Sequence, residues 1–419
     1  MSHQLLQQKA KYADLIVRAG LRLQPRQRLL VTGGQLYGVD LHLAPFVRLV
    51  ATAAYRSGAR LVDVIWDDPQ LRLLRFREAA IDDAKEHPAW PVNARLEFLE
   101  QGDAFLVLFA RDPDLLQKID ASIVSANLHA ILESNRPVAD HIERNTINWC
   151  VASAPIPSWA AKVFPSSPTS RRERELWKLI LHLCRADEPD PVAAWQSLGS
   201  ELRARAAFLT GKQYSSLVFK GPGTDLTIGL PAGHVWQGGQ MQTQSGAPFI
   251  PNIPTEEVFT LPHKARVDGT VRATKPLSYA GSTIDRFRLT FSEGKVIAFS
   301  AEKGESRLGE LIKTDEGTSR LGEVALVPAS SLISRSGVVL HNVLYDENAA
   351  SHLALGAAYK FSLWGAQQMT DDEFASAGGN TSKDHVDFMV GSAEMDVDAL
   401  TESGKLEPIM RQGEWAFKM

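Results

Sequence analysis

The chain has 419 residues, 44% apolar and 22% charged, the balance of a globular protein with room for two hydrophobic cores. Its 45 basic and 49 acidic residues leave a formal charge of −4, which excludes a general attraction to nucleic acid or to an anionic membrane. Two cysteines, Cys150 and Cys184, sit in apolar stretches, so a disulfide framework is excluded and a reducing compartment expected.

The first residues, Met1 to Gln4, carry no basic segment leading into an apolar run. No stretch of about twenty apolar residues occurs that would span a bilayer. A cytoplasmic location without a membrane partner is therefore expected. Residues 29–34 form a short apolar run closed by glycines and predict a buried strand. Residues 43–57 have helical spacing and stop at Gly58. A second strand is expected at 61–66, helices at 71–80 and 92–100, a third strand at 104–109 and a fourth at 148–152. Strands alternating with helices predict an α/β domain around a mostly parallel sheet. Helices are expected at 171–184 and 191–210, with the linker-like Ala186-Asp187-Glu188-Pro189-Asp190-Pro191 between them. The hinge falls between about residues 185 and 215, which gives an N-terminal domain over 1–200 and a C-terminal domain over 201–419.

Beyond Tyr214 the pattern changes. Residues 214–219 and 225–230 flank Gly221-Pro222-Gly223-Thr224 and predict a hairpin. Residues 266–273 and 284–300 alternate as strands, with Ser292-Glu293-Gly294-Lys295 as a turn. Short helices are expected at 306–313 and 316–321, and a strand at 324–327. The second domain is thus predicted to be α+β and largely antiparallel.

Two segments carry metal-ligating side chains at useful spacing. In His385-Val386-Asp387, a strand places residues i and i+2 on one face, so an imidazole and a carboxylate point together. Residues 346–359 are rich in alanine and predict a helix capped by Asp346 or Asn348, with His352 and Tyr359 two turns apart on one face. A buried structural histidine is the ordinary alternative there. Pro254-Thr255-Glu256-Glu257 sets two acids at a strand start, and Glu316 and Glu323 lie at element ends, where acids are usually solvated. Their interest lies in company, since a hydrolytic two-metal site combines carboxylates with histidines. His42, His87, His129, His141 and His182 lack a second ligand-type residue at metal spacing and read as structural. Gly221-Pro222-Gly223 and Gly238-Gly239 read as turns, and no CxxC, HExxH or G-x-S-x-G pattern occurs.

Several motifs, in order, resemble the aminopeptidase T and aminopeptidase S family of metallopeptidases, whose name includes thermophilic members. They are Asn252-Ile253-Pro254-Thr255-Glu256-Glu257-Val258-Phe259-Thr260, Ala301-Glu302-Lys303-Gly304, and Leu321-Gly322-Glu323-Val324-Ala325-Leu326-Val327-Pro328. Tyr345-Asp346-Glu347-Asn348-Ala349-Ala350-Ser351-His352, Gly378-Gly379-Asn380 with His385-Val386-Asp387, and Gly391-Ser392 with Met395-Asp396-Val397-Asp398 continue the series. The resemblance implies a metal site of two divalent ions (zinc, cobalt, manganese or magnesium) held by Glu257, Glu323, His352, His385 and Asp387, with Tyr359 as catalytic tyrosine. Glu257 is preferred to Glu256 by motif register, and Glu256 stays as the alternative. His341 lies outside the motifs. It further implies an aminopeptidase that releases single N-terminal residues from short peptides, and a homodimer whose N-terminal domains enclose the site. The rival readings are a two-metal phosphoesterase, for which Lys383 is the only basic residue near His385 in sequence, and a two-lobed protein that binds a small ligand or peptide without catalysis.

Overall fold

Strands Arg28–Gly33 (β1), Leu61–Val64 (β2), Ala104–Leu108 (β3) and Trp149–Ala152 (β4) join the short strand Asn252–Ile253 in a five-stranded sheet. The spatial order is Asn252–Ile253, β4, β3, β1, β2, and every pairing is parallel. The structure is a computed structural model, which describes residues 3–34, 37–80, 83, 86–280 and 282–419. β1 and β3 are buried almost throughout because both faces of a parallel sheet are covered. β2 lies at the edge and alternates exposed with half-buried residues. The expected helices are observed at Ala44–Arg56, Pro69–Glu78, Trp90–Leu99 and Thr169–Leu183, and of these Ala44–Arg56 and Trp90–Leu99 pack on the sheet. The helices His3–Leu15, Ala121–Ser134 and Arg136–Glu143 were not foreseen. Tyr12 stacks on Phe46 at 5.6 Å, and Phe46 meets Trp177 at 5.2 Å, which ties three of these helices together. Cys150 and Cys184 are buried free thiols.

The chain forms two compact units, one of residues 1–200, 240–255 and 340–344, the other of 201–239, 256–339 and 345–419. The first unit recovers two later segments for identifiable reasons. Asn252–Ile253 extends the parallel sheet, where the Val151 amide donates to Pro251 O at 2.6 Å. Asn342 Nδ2 donates to Phe109 O and Ser153 Oγ, both at 3.2 Å.

The second unit contains an eight-stranded antiparallel sheet in the order Lys295–Ser300, Arg288–Ser292, Val267–Arg272, Thr224–Gly229, Ser216–Gly221, Asp396–Leu400, Leu406–Arg411, Glu414–Trp415. The hairpin read from residues 214–230 is its middle, turned at Pro222-Gly223, with Gly223 at a φ of 78° that suits glycine. A second antiparallel sheet holds Gln237–Gly238 (β5), Val258–Thr260 (β6), Leu321–Leu326 (β7), His352–Gly356 (β8) and His385–Met389 (β9), ordered β9, β8, β7, β6, β5.

Two expectations fail here. Residues 316–321 hold only a 3₁₀ turn, Gly317–Ser319, and Leu321 already opens β7. The helix expected over 346–359 is absent: two helical turns end at Ala349, and β8 follows. All five residues of β8 are buried between β7 and β9. Ladder hydrogen bonds on both sides and full burial override the helical preference of the alanines. His352 and Tyr359 therefore share no helical face, and neither Asp346 nor Asn348 caps such a helix. Among the described residues no helix is long and apolar enough to cross a membrane.

Candidate metal centre

The register of the second sheet puts the predicted ligands on one face. Ala354 in β8 lies opposite Glu323 on β7 and opposite Asp387 on β9. Side chains in register across a sheet point the same way. His352, two residues before Ala354, and His385, two before Asp387, join that face. Ala354 is the small centre of the group, which leaves space between the two carboxylates. Gly322 sits at a register shift in β7, where a side chain would collide with the carbonyls of Gly356 and Ala357. Glu257 immediately precedes β6 and reaches across to His352.

The distances define two overlapping groups. His352 Nε2 is 3.1 Å from Glu257 Oε2 and 3.3 Å from Glu323 Oε1. His385 Nε2 is 3.2 Å from Asp387 Oδ1 and 3.8 Å from Glu323 Oε2. One ligand-type atom from each of Glu257, Glu323 and His352 lies within 4.8 Å of the other two, and the same holds for Glu323, His385 and Asp387. Glu323 belongs to both triads. All of these side chains are buried except His385, which is half-buried.

The imidazoles are oriented from behind. His385 Nδ1 is 2.7 Å from Ala357 O, and His352 Nδ1 is 3.3 Å from Ala350 O. A carbonyl only accepts, so Nδ1 carries the hydrogen in both rings and Nε2 is turned to the carboxylates. This is the arrangement in which a backbone acceptor fixes a ligating histidine.

Electrostatics report the crowding. Burial pushes the Glu323 carboxyl up, the His352 hydrogen bond draws it down and Asp387 raises it again, for a net rise to about 7. Burial alone would lower His385, but the Asp387 charge and hydrogen bond outweigh it, with Glu323 adding to the rise, and hold it at about 10. His352 is raised in the same way: burial works against its charge, and the hydrogen bonds to Glu257 and Glu323 prevail. Asp387 is lowered, since the His385 charge overcomes its burial.

A fourth carboxylate belongs to this field. Glu347 is buried, and burial followed by the charges of Asp387 and Glu257 raises it well above the usual carboxylate range. Sequence reasoning missed it because it took Glu347 as part of a helix start; the available signal was its place inside the motif that ends at His352. With all four carboxylates ionised, two negative charges remain even when both imidazoles are protonated. Two imidazole nitrogens and three carboxylates held so close, in the field of a fourth, fit divalent cations of the zinc, cobalt, manganese or magnesium type.

Tyr359 is brought to the same place from a loop. Its ring lies 4.8 Å from the His385 ring and stacks on Phe361 at 5.0 Å. Glu256 is placed elsewhere: its Oε2 accepts the Leu332 amide at 2.8 Å, and its own amide donates to Asn348 Oδ1. Lys383 is exposed.

Comparison with known proteins identifies the family. Residues 6–415 match the family described as thermophilic metalloprotease (M29). Aminopeptidase 2 of Geobacillus stearothermophilus is 44% identical over 411 residues, 98% of each chain. Aminopeptidase AmpS of Bacillus subtilis is 41% identical, over 97% of this chain and 98% of its own. The solved structure of wild-type AmpT from Thermus thermophilus superposes with a TM-score of 0.90 at 39% identity, covering 98% of this chain and all of the other. With a match this long and relatives this similar from end to end, the chain belongs to the thermophilic metalloprotease family.

Proposed function

We propose that the chain is an aminopeptidase that uses two divalent cations to release single N-terminal residues from short peptides. The observation that carries the two-metal reading is the sharing of Glu323 between two ligand triads. Glu257, Glu323 and His352 would hold one cation; Glu323, His385 and Asp387 would hold the other; Glu347 adds a further donor. The chemistry such a pair supplies when bound is acidification of a water and polarisation of the scissile carbonyl. The protein's part is to hold the donors in place. Ala350 O and Ala357 O fix the two rings, and Ala354 keeps the centre open. Tyr359, anchored against Phe361 and His385, presents a hydroxyl to donate a hydrogen bond to the oxyanion that develops on the carbonyl.

The reading extends to a cytoplasmic homodimer in which the N-terminal domain serves dimerisation and encloses the site. Dimerisation is supported by the helix Pro69–Glu78, which buries none of its residues and exposes Leu71 at 65% and Leu74 at 50%. The test is release of amino acid from a leucine-type chromogenic amide. Activity is expected to vanish in chelator and to return with Co²⁺, Zn²⁺, Mn²⁺ or Mg²⁺. Undiminished hydrolysis by protein shown to be metal-free would refute the mechanism.

A further inference from the structure

The parallel sheet runs from β1 outward to β2, then restarts on the opposite side of β1 with β3. The carboxyl ends of β1 and β3 therefore sit at a topological switch point, where open α/β sheets leave a crevice that takes ligands. Gly33 ends β1, and a side chain at the next residue, Gly34, would collide with the Phe109 ring just past β3. Two residues on is Arg111, whose guanidinium carbon lies 4.7 Å from the centre of that ring. Arg111 Nη2 is shut off from solvent and has no hydrogen-bond partner. Among the described residues Arg111 makes no ion pair.

Two more guanidiniums come to the same end of the sheet. Arg72 lies 3.8 Å over the Tyr37 ring and pairs with Asp67 at 3.2 Å. Arg95 is fully buried and donates to Thr32 Oγ1 and Tyr37 O at 3.3 Å and to Asn135 Oδ1 at 3.4 Å. Thr32 is a β1 residue, so Arg95 is fixed to the strand that forms one wall. Burial, and then the neighbouring Arg72 charge, hold Arg111 well below the arginine range, at about 9. Burial holds Arg95 down as well, at about 10. A buried guanidinium is ordinarily paired with an anion. Asp67 pairs with Arg72 and acts on Arg111, with the charges of Asp40 and Asp68 beside it.

We propose that this crevice binds a small oxyanion, a carboxylate or phosphate group, with Arg111 as its principal contact and Arg72 and Arg95 supplying the surrounding positive field. The planar guanidinium fork matches both groups. The occupant is a free small molecule, either a phosphate or a carboxylate, and neither rests on the aminopeptidase reading.

The experiment uses the metal-loaded full-length protein and its Arg111→Gln and Arg111→Lys variants. Inorganic phosphate is titrated while thermal unfolding is followed. In parallel, acetate is titrated in the same way. For a phosphate site, wild type shows a saturable rise in Tm that Arg111→Gln loses, with affinity down by roughly tenfold or more. For a carboxylate site, the saturable rise and its loss in Arg111→Gln are seen with acetate and not with phosphate. Arg111→Lys keeps part of either effect. The proposal is overturned if Arg111→Gln matches wild type in both arms, or if its only effect is on the oligomeric state. Should Arg111→Gln not fold, wild type with neither a saturable phosphate response nor a saturable acetate response overturns it as well.

Discussion

Replacing Glu323 by Gln tests the shared carboxylate with two effects of opposite sign. Glu323 is buried and stands 3.3 Å from His352 and 3.8 Å from His385, in both triads. Gln has the same shape without the charge. In metal-free protein the rise of this carboxyl to about 7 sets on the order of 3 kcal/mol against its ionised form at pH 8. The metal-free variant should therefore unfold at a higher temperature than metal-free wild type at that pH, by up to several degrees. With metal the order reverses, because both triads lose a member. Losing an outer-shell partner of a metal costs roughly 10- to 100-fold in affinity or activity. A ligand shared by two ions should cost at least that at each, so activity falls by roughly 10² to 10⁴ or more. The assays are thermal unfolding with and without chelator, metal content after dialysis, and hydrolysis of the chromogenic amide. A variant that is destabilised when metal-free, or that keeps two tightly held ions, would show that Glu323 is not the shared group.

Metal-free protein should lose stability as pH rises from about 5 to 10, while metal-loaded protein does not. The raised His385 contributes fully below its ordinary 6.5 and loses that contribution as pH climbs through about 10; the raised Glu323 becomes a penalty as pH passes from its ordinary 4.5 through about 7. Chemical denaturation across that range reads both, and a flat metal-free profile would contradict the crowding. Ala354→Leu should fold at a cost of about 1–3 kcal/mol for overpacking, yet hold little metal, as seen by metal analysis beside circular dichroism; normal metal content would mean that the space next to Ala354 is not used. Tyr359→Phe should keep its metals while kcat drops by roughly 10²- to 10³-fold, and an unchanged kcat removes the hydroxyl from the reaction. Leu71→Glu with Leu74→Glu should lower the mass measured by light scattering from dimer to monomer, and a dimer that persists would place the interface elsewhere.

The parallel strands were legible because each is a short apolar run closed by turn residues, as at Leu29 to Gly33. The His385-Val386-Asp387 half-site was legible because a strand period of two needs only local sequence. His352 was picked out as a candidate ligand, but its local structure was misread. Alanines at 349, 350, 354, 357 and 358 favour a helix locally, and only pairing with β7 and β9 makes this segment a strand. That pairing joins residues about thirty positions apart on each side and leaves no local trace. Glu347 escaped for a related reason, since an acid at an apparent helix start has an ordinary role. The short strand Asn252–Ile253 could not be assigned to the parallel sheet from sequence, because its partner β4 is about a hundred residues away. Arg72, Arg95 and Arg111 have no spacing that marks them as a group; the sheet order alone assembles them.

Anomalous diffraction from crystals grown with excess Mn²⁺ or Zn²⁺ tests the central claim most directly. Two peaks are expected, one beside Glu257 and His352 and the other beside His385 and Asp387, with the Glu323 carboxylate between them. A single peak, or peaks away from these side chains, would contradict the shared-carboxylate site.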